Sequence, residues 1–499
     1  MRKGRFFLTL GAICFIAAGG VWWQGNTDQK SEETTDLQVV DELLTIISKE
    51  SVYDTTPDLL VEGALRGMAN AINDPYSKYY TEKEASLHSQ TLASERIGIG
   101  LEISESNGKF IIISPVKSSP AEKAGIRPLD ELVQINETRL EGKTMGDVLN
   151  LIQGKEGEKV KLVLYRPSLD RHIKVNVERK KLKNETVHAE TITIEDTKIG
   201  YMTISMFGEK TATEWQKALN SMLDEDVEGL IVDVRDNPGG YLHSVAQILS
   251  TLGPNDKIFA YMQNNEGAIE ALKTAAKSAK GKEGKEGKGG KGGKEGEEGK
   301  ESEEKMEKVL NSLPITVLQN EGSASASEVF SGAMKDWKRG TIIGLKSFGK
   351  GTVQQTWDLQ NGGELKLSTN KWLTPSQQWI HGIGIETDIE VKQHPLYSVE
   401  LKLLSGRFEQ QDFSEEIAYS QLVLSEFGYK MVRDDGFFDE ITAEAVTAFR
   451  DRHDLPEGSH MDEVFFAKLS EELKQFKERP DNDTQLQMAI SYLMHQISM

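Results

Sequence analysis

The chain is 499 residues long and 37% hydrophobic, with a formal net charge of -20 from 79 acidic and 59 basic side chains. At roughly 100–200 residues per domain this length holds several domains and a sizeable buried core. The acidic balance argues against nucleic acid as a partner, because its phosphates would be repelled, and the single cysteine, Cys14, excludes a disulfide in the rest of the chain.

The chain opens with "MRKGRFFLTLGAICFIAAGGVWWQG", in which Arg2, Lys3 and Arg5 precede an uncharged run from Phe6 to Trp23. That run is just long enough to cross a ~30 Å hydrocarbon layer. Basic residues ahead of it predict that this side stays cytoplasmic and the remainder is exported. Residues 1–25 are therefore expected to be a single-pass anchor in the cell membrane, with the rest on the extracytoplasmic side. The alternative is a signal peptide cut near the small residues Ala17 to Gly20, which would release a secreted protein.

Residues 26–88 read as helical. Val40, Leu43, Leu44 and Ile47 form one stripe, and Leu59, Leu60, Ala64, Leu65, Met68 and Ile72 another, until Pro75 in "NDPYSKYY" breaks the pattern. A helical collar or dimerisation element is expected there.

Short β-type runs follow over 89–182: "IGIGLEI", "FIIISPV", "ELVQIN" and "VKLVLY", interrupted by "SSPAEKAGI" and the helical "MGDVLNLIQG". This order resembles a PDZ domain. The resemblance implies that the loop Gly98, Ile99, Gly100 and Leu101 holds a peptide's terminal carboxylate on its backbone amides.

Residues 183–396 begin a third region. The apolar run Leu230 to Val234 suits a strand buried on both faces, and Asn237-Pro238-Gly239-Gly240 is strong turn punctuation before a helix. Residues 276–307 are almost wholly Gly, Lys and Glu, and such a segment cannot offset its ordering entropy by burial, so a disordered insertion is expected. Strand character resumes at "LPITVLQN" and leads into "EGSASASEVFSGAMKDW".

Three serines there alternate ahead of a helix, and Ser325 with Glu328 matches the S-x-x-E capping box. On spacing alone a cap and a nucleophile are both open. A second strand, "GTIIGL", precedes "KSFGKGTVQQTWDL", where an extended chain would turn Lys350, Thr352, Gln354 and Thr356 to one face. The phosphate-cradling pattern nearly matched by "GLKSFGKGT" fails, because Gly351 stands where a magnesium-binding hydroxyl is required.

Together these segments resemble the carboxyl-terminal processing (tail-specific) proteases, whose serine lies in an S-A-S-A-S-E run and whose lysine lies in a G-K-G-x-x-Q run. The resemblance covers about Leu37 to Lys392, including "DPYSKYY", the PDZ-like order and "DVRDNPGG". It implies an α+β multidomain fold: a helical N-terminal region, a PDZ domain inserted before an α/β protease core of the ClpP/crotonase-like kind, and a small helical C-terminal module. By position it implies Ser325 as nucleophile, Lys350 as base and Gln354 assisting. The family's 25-residue spacing selects Ser325 over Ser323 and Ser327.

The backbone amides of Ala326 and of Gly239 or Gly240 would form the oxyanion hole, and the PDZ domain would select tails and gate the site. Arg166, read as lying just after the last PDZ strand, is the candidate contact between gate and core. The implied activity is an exported, membrane-anchored serine endopeptidase that cleaves proteins at or near their C-termini through an acyl-enzyme. No cofactor or metal is implied. The implied partners are protein substrates and a second copy of the chain, in a homodimer. The competing class is an inactive PDZ and wall-binding scaffold.

An amine takes a proton from serine only when neutral. A lysine near pKa ~10.4 must drop by about 3 units, roughly 4 kcal/mol, to act near neutral pH, and burial in a cleft is the expected source. Of the nine histidines only His243, after the NPGG turn, is expected near the site, in a structural or substrate-lining role. Residues 397–480, with "LSEFGY", "DGFFD" and "AVTAF", resemble a peptidoglycan-binding-like helical module, which makes cell-wall peptidoglycan a further candidate partner. Residues 481–499 read as a C-terminal helix.

Overall fold

The structure is a computed structural model that describes residues 37–499 except 86–94, 107, 117–118, 128–129, 167–170, 184, 275–309, 311 and 403. The expected membrane segment and the segment 276–307 lie outside the described residues. Among the described residues no helix is long and apolar enough to cross a membrane.

Two compact units divide after Met68. The first holds the helix Leu37–Glu50 and most of the helix Pro57–Asn70. Both helices form where the apolar spacing predicts. On the first of them Val39, Val40, Leu43 and Ile46 nevertheless remain exposed.

In the second unit, residues of the predicted PDZ region build an antiparallel sheet in the order Leu101–Ser106, Lys109–Pro115, Glu131–Ile135, Lys159–Arg166, Arg171–Glu178. Its core is Phe110, Ile112, Leu132, Val148, Leu162 and Leu164. The helix Met145–Ile152 starts at Thr144, whose hydroxyl and the Asp147 carboxylate satisfy each other's backbone amides. A separate antiparallel ribbon, Glu95–Gly98 with Lys180–Lys183, brings the two ends of this inserted domain together.

The core that follows is a six-stranded sheet ordered Val187–Ile194, Thr197–Ile204, Gly229–Asp233, Ile315–Gln319, Thr341–Gly344, Ile389–Glu390. Its first pair is antiparallel and the others parallel. Gly229–Asp233 and Ile315–Gln319 are buried at every position, which their unbroken apolar character allows because both faces are covered.

On one face Trp215, Leu219, Val245, Ile248 and Phe330, from three helices, pack against Leu230, Val232, Val317 and Ile342. On the other, Leu486, Ala489, Ile490 and Leu493 of the helix Thr484–Ser498 pack against Ile199, Ile231, Leu318 and Ile343. Asp483 caps that last helix through Leu486 N (2.9 Å) and also pairs with Arg235 (2.8 Å), which in turn holds Asp233 (2.6 Å).

A second sheet, ordered Lys78–Tyr80, Glu364–Leu373, Ile258–Asn264, Ile269–Lys273, carries the strand Thr352–Asp358 on Glu364–Leu373. The helical reading of 26–88 thus ends early. The helix has ended at Asn70, ahead of Pro75, and beyond that proline buried Ser77, exposed Lys78 and buried Tyr79 alternate as a strand does. Farther on, the helices Glu415–Glu426, Glu440–Arg452 and Glu463–Glu478, capped by Ser414, Asp439 and Asp462, close a core of their own around Leu424, Val446, Phe449 and Phe465.

Candidate active site

Strand Ile315–Gln319 delivers the three serines to the start of the helix Ala326–Asp336, and the fold treats them differently. Ser323 donates to Val234 O (2.7 Å) and Ser327 to Asn237 O (2.8 Å), and both are fully buried. Their hydroxyls tie the serine segment to the turn after Gly229–Asp233. Ser325 is partly exposed and sits at φ 56°, a conformation that non-glycine residues rarely adopt. Backbone strain of this kind persists only where the surroundings fix it.

The surroundings are the NPGG turn and Glu328. Gly239 (φ 103°) lies so close that a Cβ on it would meet Ala324 O at 2.7 Å and Ser325 Cβ at 2.9 Å. Its amide is committed to Asn237 Oδ1 (2.9 Å). The amides of Gly240 and Ala326 have no acceptor among the described residues.

Glu328, fully buried, accepts four hydrogen bonds. Oε2 takes Ser325 N (2.8 Å) and Lys350 N (2.7 Å), and Oε1 takes Gly349 N (2.6 Å) and Ser347 Oγ (2.7 Å). The first bond is the carboxylate half of the predicted capping box. The other three join the serine helix to the lysine loop. Burial pushes the Glu328 carboxyl above its usual range, against the pull of those four donors.

The lysine loop has a second set of supports. Trp372 Nε1 donates to Lys350 O (2.8 Å), Trp379 Nε1 to Gly351 O (2.9 Å), and Gly351 N to His381 Nδ1 (3.3 Å). His381 stacks on Trp379, so the expectation that His243 is the only histidine near the site is corrected. His243 is exposed and stacks on Tyr241.

The Lys350 ammonium lies 4.8 Å from the centre of the Tyr76 ring and makes no hydrogen bond to Ser325 among the described residues. Burial, then the neighbouring Lys366 ammonium, pulls Lys350 down to about 8, against Asp74 and Glu328. Such an amine is partly neutral near physiological pH.

Gln354 departs from the expected alignment with Lys350. The strand begins only at Thr352, so Lys350 lies ahead of the alternation that the expectation relied on, and the register shift beside Gln354 puts its extra residue, Thr369, in the partner strand. Its amide donates to Thr352 Oγ1 and Ser368 Oγ (3.0 Å each).

In the PDZ region, Ile99 is buried in the core and Gly100 (φ 77°) passes so close to Ser119 that any Cβ would collide. The carbonyls of Ile99 and Gly100 accept Ala121 N (2.9 Å) and Val116 N (3.1 Å), while their own amides have no acceptor among the described residues. Gly98 closes the ribbon and Leu101 opens the next strand.

The expected place of Arg166, just after the last PDZ strand, is corrected. The residue ends the strand Lys159–Arg166, another strand follows, and its buried guanidinium grips Asp130 through two 2.7 Å bonds and Gly125 O at 2.8 Å. This bidentate pair lies inside its own domain.

Sequence reasoning passed over Tyr76, Trp372, Trp379 and His381, and gave Glu328 only a local cap. The "DPYSKYY" resemblance was the one signal that pointed toward Tyr76. Among the described residues no group of three His, Cys, Asp or Glu could hold a metal ion.

Comparison with known proteins places this geometry in context. Residues 198–391 match the model of Peptidase family S41, residues 111–166 a PDZ domain, and residues 21–84 the activating protease CtpB N-terminal domain. The chain is 34% identical to the carboxy-terminal processing protease CtpB of Bacillus subtilis, over 93% of this chain and 90% of that protein. It is 30% identical to the carboxy-terminal processing protease CtpA of the same organism, over 98% of each. Among solved structures, a photosystem II D1 C-terminal processing protease is similar at 25% identity and a TM-score of 0.39, over 70% of this chain and 86% of that one.

Proposed function

The chain belongs to peptidase family S41, as a serine-type carboxy-terminal processing peptidase with a PDZ domain, and from that premise we propose that Ser325 is its nucleophile and Lys350 its general base. The observation that carries this assignment is the Glu328 carboxylate, which takes the amides of both residues while Ser323 and Ser327 are tied off to the neighbouring turn.

The chemistry follows from the groups in place. The flexible four-carbon stem of Lys350 lets the amine leave the Tyr76 ring for Ser325 while its peptide stays fixed. The neutral amine removes the Ser325 proton as Oγ attacks the substrate carbonyl, then returns the proton to the leaving amine. The resulting acyl-enzyme is released by water, activated in the same way. The uncommitted amides of Ala326 and Gly240 are the pair that supports an oxyanion hole, with Gly239 acting as the spacer that lets the two segments approach. Gln354, one side-chain rotation from Thr352 and Ser368, aims the amine once it has moved.

Within the PDZ loop Gly98, Ile99, Gly100 and Leu101, the amides of Ile99 and Gly100 are the unbonded ones offered to the terminal carboxylate of a protein tail, which makes the substrate a chain with an accessible C-terminus. Residues 6–23 anchor the enzyme in the cell membrane with the protease on the extracytoplasmic side. The exposed apolar face of Leu37–Glu50 supports a homodimer through the N-terminal helices. The helical module at 397–480 would hold the enzyme near peptidoglycan.

The test is cleavage of an unfolded protein such as casein by wild type, Ser325→Ala and Lys350→Ala. Both variants are expected to lose cleavage by at least about 10³-fold. Wild-type rates in either one would remove that residue from the dyad.

A further inference from the structure

We infer that Glu328 is a positioning residue of this reaction, a buried carboxylate that fixes the nucleophile's peptide against the base's peptide and supplies the fixed negative charge under which Lys350 becomes a cation. The inference rests on the Ser325–Lys350 assignment and goes beyond it, since Glu328 touches neither substrate nor the reacting atoms.

Capping alone does not account for what Glu328 does. A helix cap needs one acceptor for one free amide, and the bond from Ser325 N supplies it. The three further donors, Ser347 Oγ, Gly349 N and Lys350 N, come from a separate segment of the chain. Four donors converging on two oxygens suit an ionised carboxylate and no other side chain. An amide accepts at one end only and would set its own N–H groups against two of these donors.

Burying an anion is costly, and its hydrogen-bond shell contains no cation to offset it. The group that feels the charge is Lys350, which Asp74 also holds toward the protonated form while burial and Lys366 favour the neutral one. The Tyr76 ring lies beside Lys350, and its hydroxyl also feels the Glu328 charge. When Lys350 accepts the serine proton, the new ammonium forms in the field of a carboxylate that is already fixed, so no reorganisation is needed at that moment. The division of labour resembles that of a serine protease triad, in which the carboxylate orients the base and stabilises its protonated form without taking the proton.

The test is Glu328→Gln, nearly identical in shape but neutral, assayed for kcat, KM and pH dependence on a tail peptide, with a thermal melt to establish folding. The expected result is a cooperative melt, a fall in kcat on the order of 10²-fold from misplacement of the base, an unchanged KM, and an acid limb moved to lower pH because an anion near Lys350 has gone. Wild-type kcat overturns the inference. So does a lower kcat with an unmoved acid limb, which would mean a purely structural part. Should Glu328→Gln fail to fold, Ser347→Ala removes one of the four donors and keeps the charge. A several-fold loss of kcat at constant KM supports the inference, and no loss overturns it. These outcomes stand apart from the dyad test, since Ser325→Ala and Lys350→Ala can abolish cleavage whatever Glu328 does.

Discussion

As the proposed base Lys350 must be neutral to act, yet it rests on the face of Tyr76, where a cation is favoured. Burial and Lys366 outweigh that attraction and bring it to about 8. Cleavage is therefore expected to rise with pH through about 8 as the ammonium gives up its proton, and a rate–pH profile of kcat/KM on a tail peptide checks the midpoint. The same shift has a stability consequence of definite sign. The folded pKa is below the ordinary 10.5, so the unfolded chain binds this proton more tightly. The penalty is complete below pH 8 and fades as pH rises toward 10.5.

Lys350→Met is thus expected to abolish cleavage and stabilise the fold by on the order of 1–2 kcal/mol at pH 7, with a smaller gain at pH 10, both read from thermal melts. At this scale the sequence was legible where chemistry sits in a short motif. The proposed pair, Ser325 and Lys350, was named from its runs, and the burial that lowers Lys350 could be anticipated. Tyr76, Trp372, Trp379 and His381 could not, because each reaches the lysine loop across a fold that local spacing does not encode.

The NPGG turn and the serine helix work as one joint between two elements. Asn237 holds its own turn through Gly239 N and donates to Ile204 O (2.7 Å), while its carbonyl takes Ser327. At Gly240 (φ 140°) a Cβ would collide with the carbonyl of Phe207. Gly240→Ala is expected to cost about 2 kcal/mol or more in stability and to lower kcat, because the amide offered to the oxyanion is displaced. A denaturant melt and a kcat measurement test the two effects separately.

On the other side of the cleft, Trp379→Phe keeps an aromatic ring against His381 but removes the bond to Gly351 O. About 1 kcal/mol of stability should be lost, with a several-fold fall in kcat. The turn was legible from its punctuation and the helix from its apolar spacing. The start of the strand at Thr352, which leaves Lys350 outside it, was not, because the alternating pattern carries no mark there.

For the whole molecule, the order of regions could be read in advance, but the partner of the last helix could not. Its apolar residues look like those of any terminal helix, yet they cover a face of the catalytic sheet, and Arg235 pins Asp483 two residues from the NPGG turn. Leu493→Ala is expected to cost roughly 2–5 kcal/mol, and Arg235→Ala roughly 3–5 kcal/mol by leaving Asp233 and Asp483 buried without their cation. In both variants, denaturant melts should report the loss in the protease core and not in the helical module at 397–480 alone.

That helix also imposes a timetable. Every residue of the proposed catalytic set is synthesised well before Thr484–Ser498, and the sheet beneath them keeps an open hydrophobic face until that segment arrives. A chain still being made therefore lacks the finished sheet on which the proposed nucleophile and base rest.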